Sequence, residues 1–362
     1  MFPIIDHFDD VAKFVENNPQ FRIAKQDNGI SVICYMLQDE DTFHGENQDI
    51  YRECRGISFH ENGKIASRPL HKFFNVGEST ETSAENIPWD KIVRCTDKRD
   101  GSMITFVLMP DGNIIGKTKK TFDSAEAIAA TKFLYENEEK LNWVRHWLEN
   151  NLTPIFEWTS PSFPIVILYD KDELTLLQLR CNYTGNYALT YFENNNSIPF
   201  PICENLLHKF NTPKDLLTLA KTETGIEGWI IQDSIGNAWK IKTQWYCDLH
   251  HSVTFTRWRD IARSVLVEQS DDLKAAFKLT GRDIAPIVNV EHAIMQTILT
   301  HQEMCKNETE NVDKSDAKTF ALAKRKHPHF NILMQTFNNK EIDWYKWYEK
   351  HFLNSWSLEV VV

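Results

Sequence analysis

Lys91-Ile-Val-Arg-Cys-Thr-Asp-Lys98-Arg-Asp-Gly101-Ser-Met-Ile-Thr-Phe-Val-Leu108 sets a short charged segment between two β-type runs. The first run delivers Lys98 to a strand-to-loop junction, and Gly101 permits a tight turn before the second run begins. A protonated lysine is a poor nucleophile. It becomes useful when burial or a neighbouring cation lowers its pKa. A charged hairpin turn can carry the same pattern, so the reading of Lys98 depends on its surroundings.

Working outward, short β-type runs separated by turn signals dominate from about Ser31 to Ile241. Ile30–Tyr35, Met103–Leu108 before Pro110-Asp-Gly-Asn, and Ile165–Tyr169 are examples. Gly228–Gln232 and Ala238–Lys242, joined by Asp233-Ser-Ile-Gly-Asn, carry a hairpin signature. Helical patterns interrupt them over Ser124–Asn150 and Pro213–Lys221. After about Val253 the period changes to three and four, predicting helices over Trp258–Lys278, Ala285–Cys305, Ser315–Arg325 and Ile342–Leu353, with a loop at Lys306–Lys314. The expected fold class is α+β: an antiparallel-sheet domain over residues 1–252, then an all-helical domain over 253–362.

The β-rich part carries isolated charges inside apolar strands. Glu157 lies in Pro154-Ile-Phe-Glu-Trp, and Glu227 heads Gly228-Trp-Ile-Ile. Lys240 and Lys242 alternate in Trp239-Lys-Ile-Lys, which puts both on one strand face. Arg55 and Gly56 follow Glu53-Cys. Such charges cost free energy unless they are paired or functional. A solvated sheet face explains any one of them; it explains all of them in one domain poorly.

Composition narrows the class without deciding it. The chain has 362 residues with 42% hydrophobic and 12% aromatic content, enough for a real core. The formal net charge of −11 argues against a surface coated for phosphate binding, although a local basic cleft can still attract phosphates. Seven cysteines, an odd number with no C-x-x-C, suit buried thiols in a reducing cytoplasm better than disulfides or zinc. No apolar run approaches the roughly 20 residues of a membrane span, and the N-terminus lacks a secretory pattern, so a cytoplasmic protein with no membrane partner is expected.

At Lys98-Arg-Asp-Gly101, Glu157, Glu227-Gly and Lys240-Ile-Lys242 the chain resembles the covalent nucleotidyltransferases, whose ordered signature is K-x-D-G, an acid in a strand, E-G and K-x-K. Further strings narrow the resemblance to the RNA ligase 1 family of T-even bacteriophages. They are Glu53-Cys-Arg-Gly-Ile, Ile65-Ala-Ser-Arg-Pro, Lys72-Phe-Phe-Asn, Phe156-Glu-Trp, Leu179-Arg-x-x-x-Thr-Gly and Lys240-Ile-Lys-x-x-Trp-Tyr. Ser270-Asp-Asp-Leu-Lys-Ala and Lys318-Thr-Phe-Ala continue it into the helical part.

The resemblance implies an ATP-dependent RNA ligase. Lys98 would attack the α-phosphate of ATP to give lysyl–AMP. The AMP would pass to a 5′-phosphate RNA end, and a 3′-hydroxyl would displace it. Lys240 and Lys242 would neutralise charge at the α-phosphate. Mg²⁺ or Mn²⁺ would be held at Glu227, directly or through water. Glu157 would contact the ribose hydroxyls and Arg55 the ribose or phosphates. Lys72 and Lys119 would join the nucleotide pocket, as would Gly101 and Asp100, the latter steadying the nucleophile loop. The family's usual job is resealing transfer RNA cut in the anticodon loop, with a polynucleotide kinase–phosphatase acting beforehand, and a monomer is expected. The C-terminal helices would confer RNA specificity.

Three positions depart from the pattern: Arg99 stands where the family has an acid, and Trp158 and Trp229 replace smaller rings, which bears on base stacking. The Trp-rich segment Asp343–His351 reads as a packed terminal helix or as a stacking surface for RNA bases, and Lys324-Arg-Lys-His-Pro-His is the best local basic candidate. Two alternatives compete. A DNA ligase or capping guanylyltransferase would need an OB-fold of about five strands after the K-x-K motif. A non-enzymatic RNA-binding protein would leave the isolated lysines and acids without a purpose.

Overall fold

The computed structural model of the chain describes every residue except 1, 37–41, 189–196, 255–257, 280–282, 311, 313–316, 328, 341 and 352–362. Two compact units emerge, Met1–Val253 and Thr254–Val362.

The first unit opens with helix α1 (Asp9–Val15), strands β1 (Phe21–Lys25) and β2 (Ser31–Tyr35), helix α2 (Gln48–Glu53), and strands β3 (Arg55–Phe59) and β4 (Ile65–Ser67). The four strands form an antiparallel sheet in chain order. Ile33, Tyr35, Ile57 and Phe59 on one face bury Val11 and Val15 of α1. The remaining strands are β5 (Phe74–Asn75), β6 (Ile92–Asp97), β7 (Ser102–Leu108), β8 (Ile114–Lys117), β9 (Leu152–Thr159), β10 (Glu173–Cys181), β11 (Gly228–Asp233) and β12 (Ala238–Lys242). They build two more sheets, ordered β10-β9-β7-β8 and β5-β12-β11-β6. All pairings are antiparallel except the short one between β5 and β12. Thus β6 and β7, consecutive in the chain, lie in different sheets.

Helices α3 (Ala125–Tyr135) and α4 (Glu138–Glu149) cover the β10-β9-β7-β8 sheet, bringing Ala130, Leu134 and Val144 onto Ile104, Phe106, Phe156 and Leu176. The single helix expected over Ser124–Asn150 is therefore two. Ser124 caps the first by accepting from the Ala127 N–H, and Asn137 caps the second by accepting from the Lys140 N–H; a cap inside the apolar pattern restarts the helix. Of the expected helix over Pro213–Lys221, one short α-helix, α5 (Leu216–Leu219), remains, preceded by a 3₁₀ turn. Ile165–Tyr169, expected as a strand, is irregular. Its backbone N–H groups at Val166 and Ile167 go to a carboxylate, Asp100, instead of to a neighbouring strand. Trp158 and Trp229 are buried in two different cores, where they have no face open to stack on a base. Helix α6 (Gln244–Thr254) follows β12.

The second unit comprises α7 (Trp258–Leu266), α8 (Ser270–Leu279), α9 (Ala285–Thr309), α10 (Ala317–Lys324), α11 (Phe330–Phe337) and α12 (Trp344–His351), with no strand among its described residues. The helix expected over Trp258–Lys278 parts at Glu268, whose φ of 59° a helix does not tolerate. The loop expected from Lys306 begins later, because α9 runs through Thr309, and α11 has no counterpart in the sequence reading. The expected helices over Ser315–Arg325 and Ile342–Leu353 extend partly outside the described residues. Trp344 and Trp347 pack against Cys305, Phe320, Ile332, Leu333 and Phe337, the packed-helix reading of that segment. Every cysteine is a free thiol, and all but Cys181 are buried. Among the described residues no helix is long and apolar enough to cross a membrane.

Candidate active site

Because β6 ends at Asp97 and β7 begins at Ser102, the four residues between them cross from one sheet to the other. Backbone bonds hold this crossing at both ends. The Lys98 N–H donates to the Gly228 carbonyl at 2.9 Å, tying the nucleophile candidate to the first residue of β11. The Gly101 N–H donates to Glu157 Oε1 at 3.2 Å. A Cβ on Gly101 would lie 2.2 Å from the Trp158 carbonyl oxygen, so close approach to β9 demands glycine there.

Lys98 and Lys242 grip the two oxygens of one carboxylate. Lys98 Nζ is 2.7 Å from Glu227 Oε2, and Lys242 Nζ is 3.1 Å from Glu227 Oε1. Glu227 precedes β11 and Lys242 ends β12; Gly228 pairs directly with Lys242, so the hairpin register dictates this meeting. The lysines differ in access: the Lys98 side chain is 21% exposed, that of Lys242 only 4%. Lys98 is thus held by a buried acid and open on its other side.

Glu157 lies beside this group. Burial pushes its carboxyl up to about 7, and the Lys98 and Arg55 charges only partly oppose that, while Glu227 and Asp100 reinforce it. These mutual influences place Lys98, Glu157, Glu227, Arg55 and Asp100 in one constellation. Arg55 donates from Nη1 to Met103 Sδ at 3.0 Å, and Met103 faces Glu157 across the β7–β9 register. Burial also raises Asp97, on the other side of Lys98.

Aromatic faces back the other predicted cations. Lys72 Nζ lies 5.3, 5.6 and 5.2 Å from the ring centres of Tyr35, Phe43 and Phe74. Lys119 sits 4.3 Å over Tyr35, Lys240 5.4 Å over Phe73, and Lys242 5.3 Å over Tyr246. Aromatic backing of this kind orients each ammonium and gathers Lys72, Lys119, Lys240 and Lys242 around apolar ring faces.

Both oxygens of Asp100 are engaged. Oδ2 accepts from the Val166 and Ile167 N–H groups at 2.9 and 2.7 Å, and Oδ1 from the Tyr246 hydroxyl at 2.7 Å. The Asp100 N–H donates to the Tyr169 hydroxyl at 3.0 Å. Asp100 therefore binds the Lys98 loop to the 160–172 segment and to α6. The sequence reading assigned no role to Tyr169 or Tyr246; the one available signal was the Lys240-Ile-Lys-x-x-Trp-Tyr string, which contains Tyr246.

A family model described as RNA ligase, of the T4 RNA ligase 1 type, matches residues 53–246, a span that contains every candidate site residue named above. The chain belongs to this RNA ligase family. A Thermovibrio ammonificans protein carrying an RNA-ligase name is 32% identical over 250 residues, covering 67% of this chain and 63% of that protein. RNA ligase 1 of bacteriophage TS2126 is 24% identical over 258 residues, 66% of this chain and 60% of its own. This member of the family thus matches about three fifths of the length of those relatives. An archaeal ATP-dependent RNA ligase superimposes with a TM-score of 0.47 at 12% identity, over 88% of this chain and 86% of that one.

Proposed function

We propose that the chain is an ATP-dependent RNA ligase in which Lys98 is the nucleophile and residues 1–252 form the adenylyltransferase domain. The observation that carries this reading is Glu227 held between Lys98 and Lys242. An attacking amine needs a proton acceptor, and Glu227 Oε2 already takes the Lys98 hydrogen bond at 2.7 Å. In the first step the Lys98 ammonium gives one proton to solvent through its open side. The neutral Nζ then bonds to the α-phosphorus as the bond to the bridging oxygen breaks and pyrophosphate leaves, and a second Nζ proton passes to Glu227. Lys242, on the other oxygen, and Lys240, on the same strand, face the charge that grows on the non-bridging oxygens. A 5′-phosphate RNA end then takes the AMP and regenerates the Lys98 amine, and a 3′-hydroxyl displaces AMP as the phosphodiester forms.

The remaining roles follow the pocket. Glu157, protonated or ionised near neutral pH, can donate to or accept from a ribose hydroxyl. Arg55, Lys72 and Lys119 bind ribose or phosphates. Asp100 and Gly101 hold the nucleophile loop. Mg²⁺ or Mn²⁺ would be held at Glu227, directly or through water. Among the described residues no group of three or more His, Cys, Asp or Glu is arranged to hold a metal, so phosphate oxygens and water would complete its shell. The cation supplies charge neutralisation during transfer.

The helices over 253–362 would select the RNA, and family membership favours transfer RNA broken in the anticodon loop, with a kinase–phosphatase preparing its ends. A monomer working in the cytoplasm, the host's if a phage encodes it, fits this role. The test is to incubate AMP-free protein with α-labelled ATP and a divalent cation, denature it, and count label on the chain. Label is expected on wild type and absent from Lys98→Ala. Unlabelled wild type overturns the proposal, label from GTP alone makes the protein a capping enzyme, and sealing of nicked DNA in preference to broken transfer RNA makes it a DNA ligase.

A further inference from the structure

Lys117 is a fully buried lysine that neither the mechanism nor the sequence reading uses. It is the last residue of β8, and its Nζ donates to the Gly56 carbonyl at 2.8 Å. That carbonyl belongs to the residue after Arg55. Gly56 is itself unusual: its φ is +95°, and a Cβ there would lie 2.2 Å from the carbonyl oxygen of Lys119. Two backbone segments therefore meet within a few ångströms. One carries Arg55, one carries Lys119, and Lys117 is the side chain that ties them.

A buried ammonium is costly, and burial pulls Lys117 down to about 7. A methionine would fill the same space without that cost. A donor is retained at a site where only a donor can hold the Gly56 carbonyl turned inward. The neighbouring Lys119 ammonium stands 4.3 Å over Tyr35, the ring that also backs Lys72. The bond from Lys117 thus lies at the root of a layer containing Arg55, Lys119, Tyr35 and Lys72, all on the nucleotide side of the proposed reaction.

We propose that Lys117 is a positioning residue for nucleotide binding: it locks Gly56 against the Lys119 backbone and so sets where Arg55 and Lys119 meet the ribose and phosphates of ATP. This rests on the ATP-dependent reading of the site. The side chain touches no substrate, and it acts through its two neighbours.

The test is a double-mutant cycle on the full chain, with ATP affinity read by calorimetry and labelling of Lys98 read in parallel. Lys117→Met is expected to weaken ATP binding roughly ten- to hundredfold, as misplacement of binding groups does. The labelling rate at saturating ATP should stay within about threefold of wild type, since misplaced binding groups act on affinity more than on the bound transfer step. Lys119→Ala should weaken ATP binding, and Lys117→Met should cost clearly less on that background than alone, because only the share that acts through Arg55 remains. Losses that multiply in the double variant overturn the proposal, as does unchanged affinity in a folded Lys117→Met. Should Lys117→Met lack a cooperative unfolding transition, Lys117→Leu, equally without a donor but shorter, enters the same cycle with the same two readings and the same overturning outcomes. Wild type that binds ATP without becoming labelled overturns the ligase reading and leaves the Lys117 cycle readable from affinity. Wild type that does not bind ATP overturns both.

Discussion

Two glutamates of this chain are each buried between two cations, and they have opposite uses. Glu53, at the end of α2, takes Arg68 Nε on Oε2 at 3.0 Å and Arg180 Nη2 on Oε1 at 2.7 Å. Glu227 takes Lys98 and Lys242 on the same two oxygens. The charge count is identical, and the difference lies in what the cations can do next. Arg68 also donates to the carbonyls of Pro3, Asn182 and Tyr183, and Arg180 to those of Pro69 and Gly185. Both guanidinium groups are closed to solvent, at 0% and 1% exposure. Guanidinium stays charged and its donors are spent on fixed acceptors, so this cluster clasps the N-terminal segment, α2 and β10 together. A lysine is a point charge that can lose a proton, and Lys98 keeps one side open.

The sharpest way to break the comparison is to exchange the cation types. Lys98→Arg keeps the charge beside Glu227 and removes the proposed nucleophile; label from α-labelled ATP should fall at least about a thousandfold with the fold intact. A labelled Lys98→Arg would mean that another side chain carries the AMP. The reverse exchange, Arg180→Lys, should cost stability, about 3–5 kcal/mol by urea unfolding, because a single ammonium nitrogen cannot span the three acceptors Gly185, Pro69 and Glu53 that Nε, Nη1 and Nη2 reach separately. A stable Arg180→Lys variant would show that charge alone matters at Glu53.

Acid and base should separate the clasp from the pocket. Burial raises the Glu53 carboxyl, but Arg180 and Arg68 outweigh burial and hold it at about 2 against an ordinary 4.5. Its folded value is depressed, so its contribution is present above about 4.5 and is lost as pH falls toward 2. Glu157 runs the other way. Its folded value is raised to about 7, so it costs stability as pH rises from about 4.5 through 7. Glu157→Gln should therefore raise stability at pH 8 by up to about 3 kcal/mol while weakening ATP binding. Thermal unfolding from pH 4 to 8 reads the sign, and a Glu157→Gln chain no more stable than wild type at pH 8 would mean that the carboxyl is not strained by burial.

Legibility in the sequence followed the same division. Glu227, Lys240 and Lys242 were readable because a charge inside an apolar β-run is anomalous, Lys98 became readable through their company, and hairpin register then brings Glu227 to Lys242. Glu53, Arg68 and Arg180 were visible only as parts of family strings, since the partners lie 15 and 127 residues apart in the chain and no local pattern links them. Ile165–Tyr169 misled because β-branched and apolar residues look alike in a strand and in a segment whose N–H groups find a side chain. The bearing of Trp158 and Trp229 on base stacking was open because a sequence does not show which face of a strand is covered. Lys117 had no signal at all: Lys-Thr-Lys-Lys after a β-run reads as a solvated turn, and only the course of the Gly56 backbone makes its first lysine a buried donor.

The smallest expected effect bears on how far the pocket resembles the clasp in being held before substrate arrives. Tyr246→Phe deletes one hydroxyl and keeps the ring under Lys242. Asp100 then loses its bond on Oδ1 but keeps the Val166 and Ile167 N–H groups on Oδ2, so the 160–172 segment remains attached. A hydrogen bond to a charged group contributes about 1.5–3 kcal/mol, and the two bonds that remain on Oδ2 should keep the loss near the lower end. If the nucleophile loop is held as firmly as the arginine clasp, the unfolding midpoint should drop slightly and the labelling rate should barely change. If instead the Tyr246 hydroxyl sets the loop, labelling should fall well beyond what the lost stability explains, because Lys98 lies two residues from Asp100 and shares its backbone. Measuring both quantities on one preparation tells a pre-formed lysine site from one that the substrate completes.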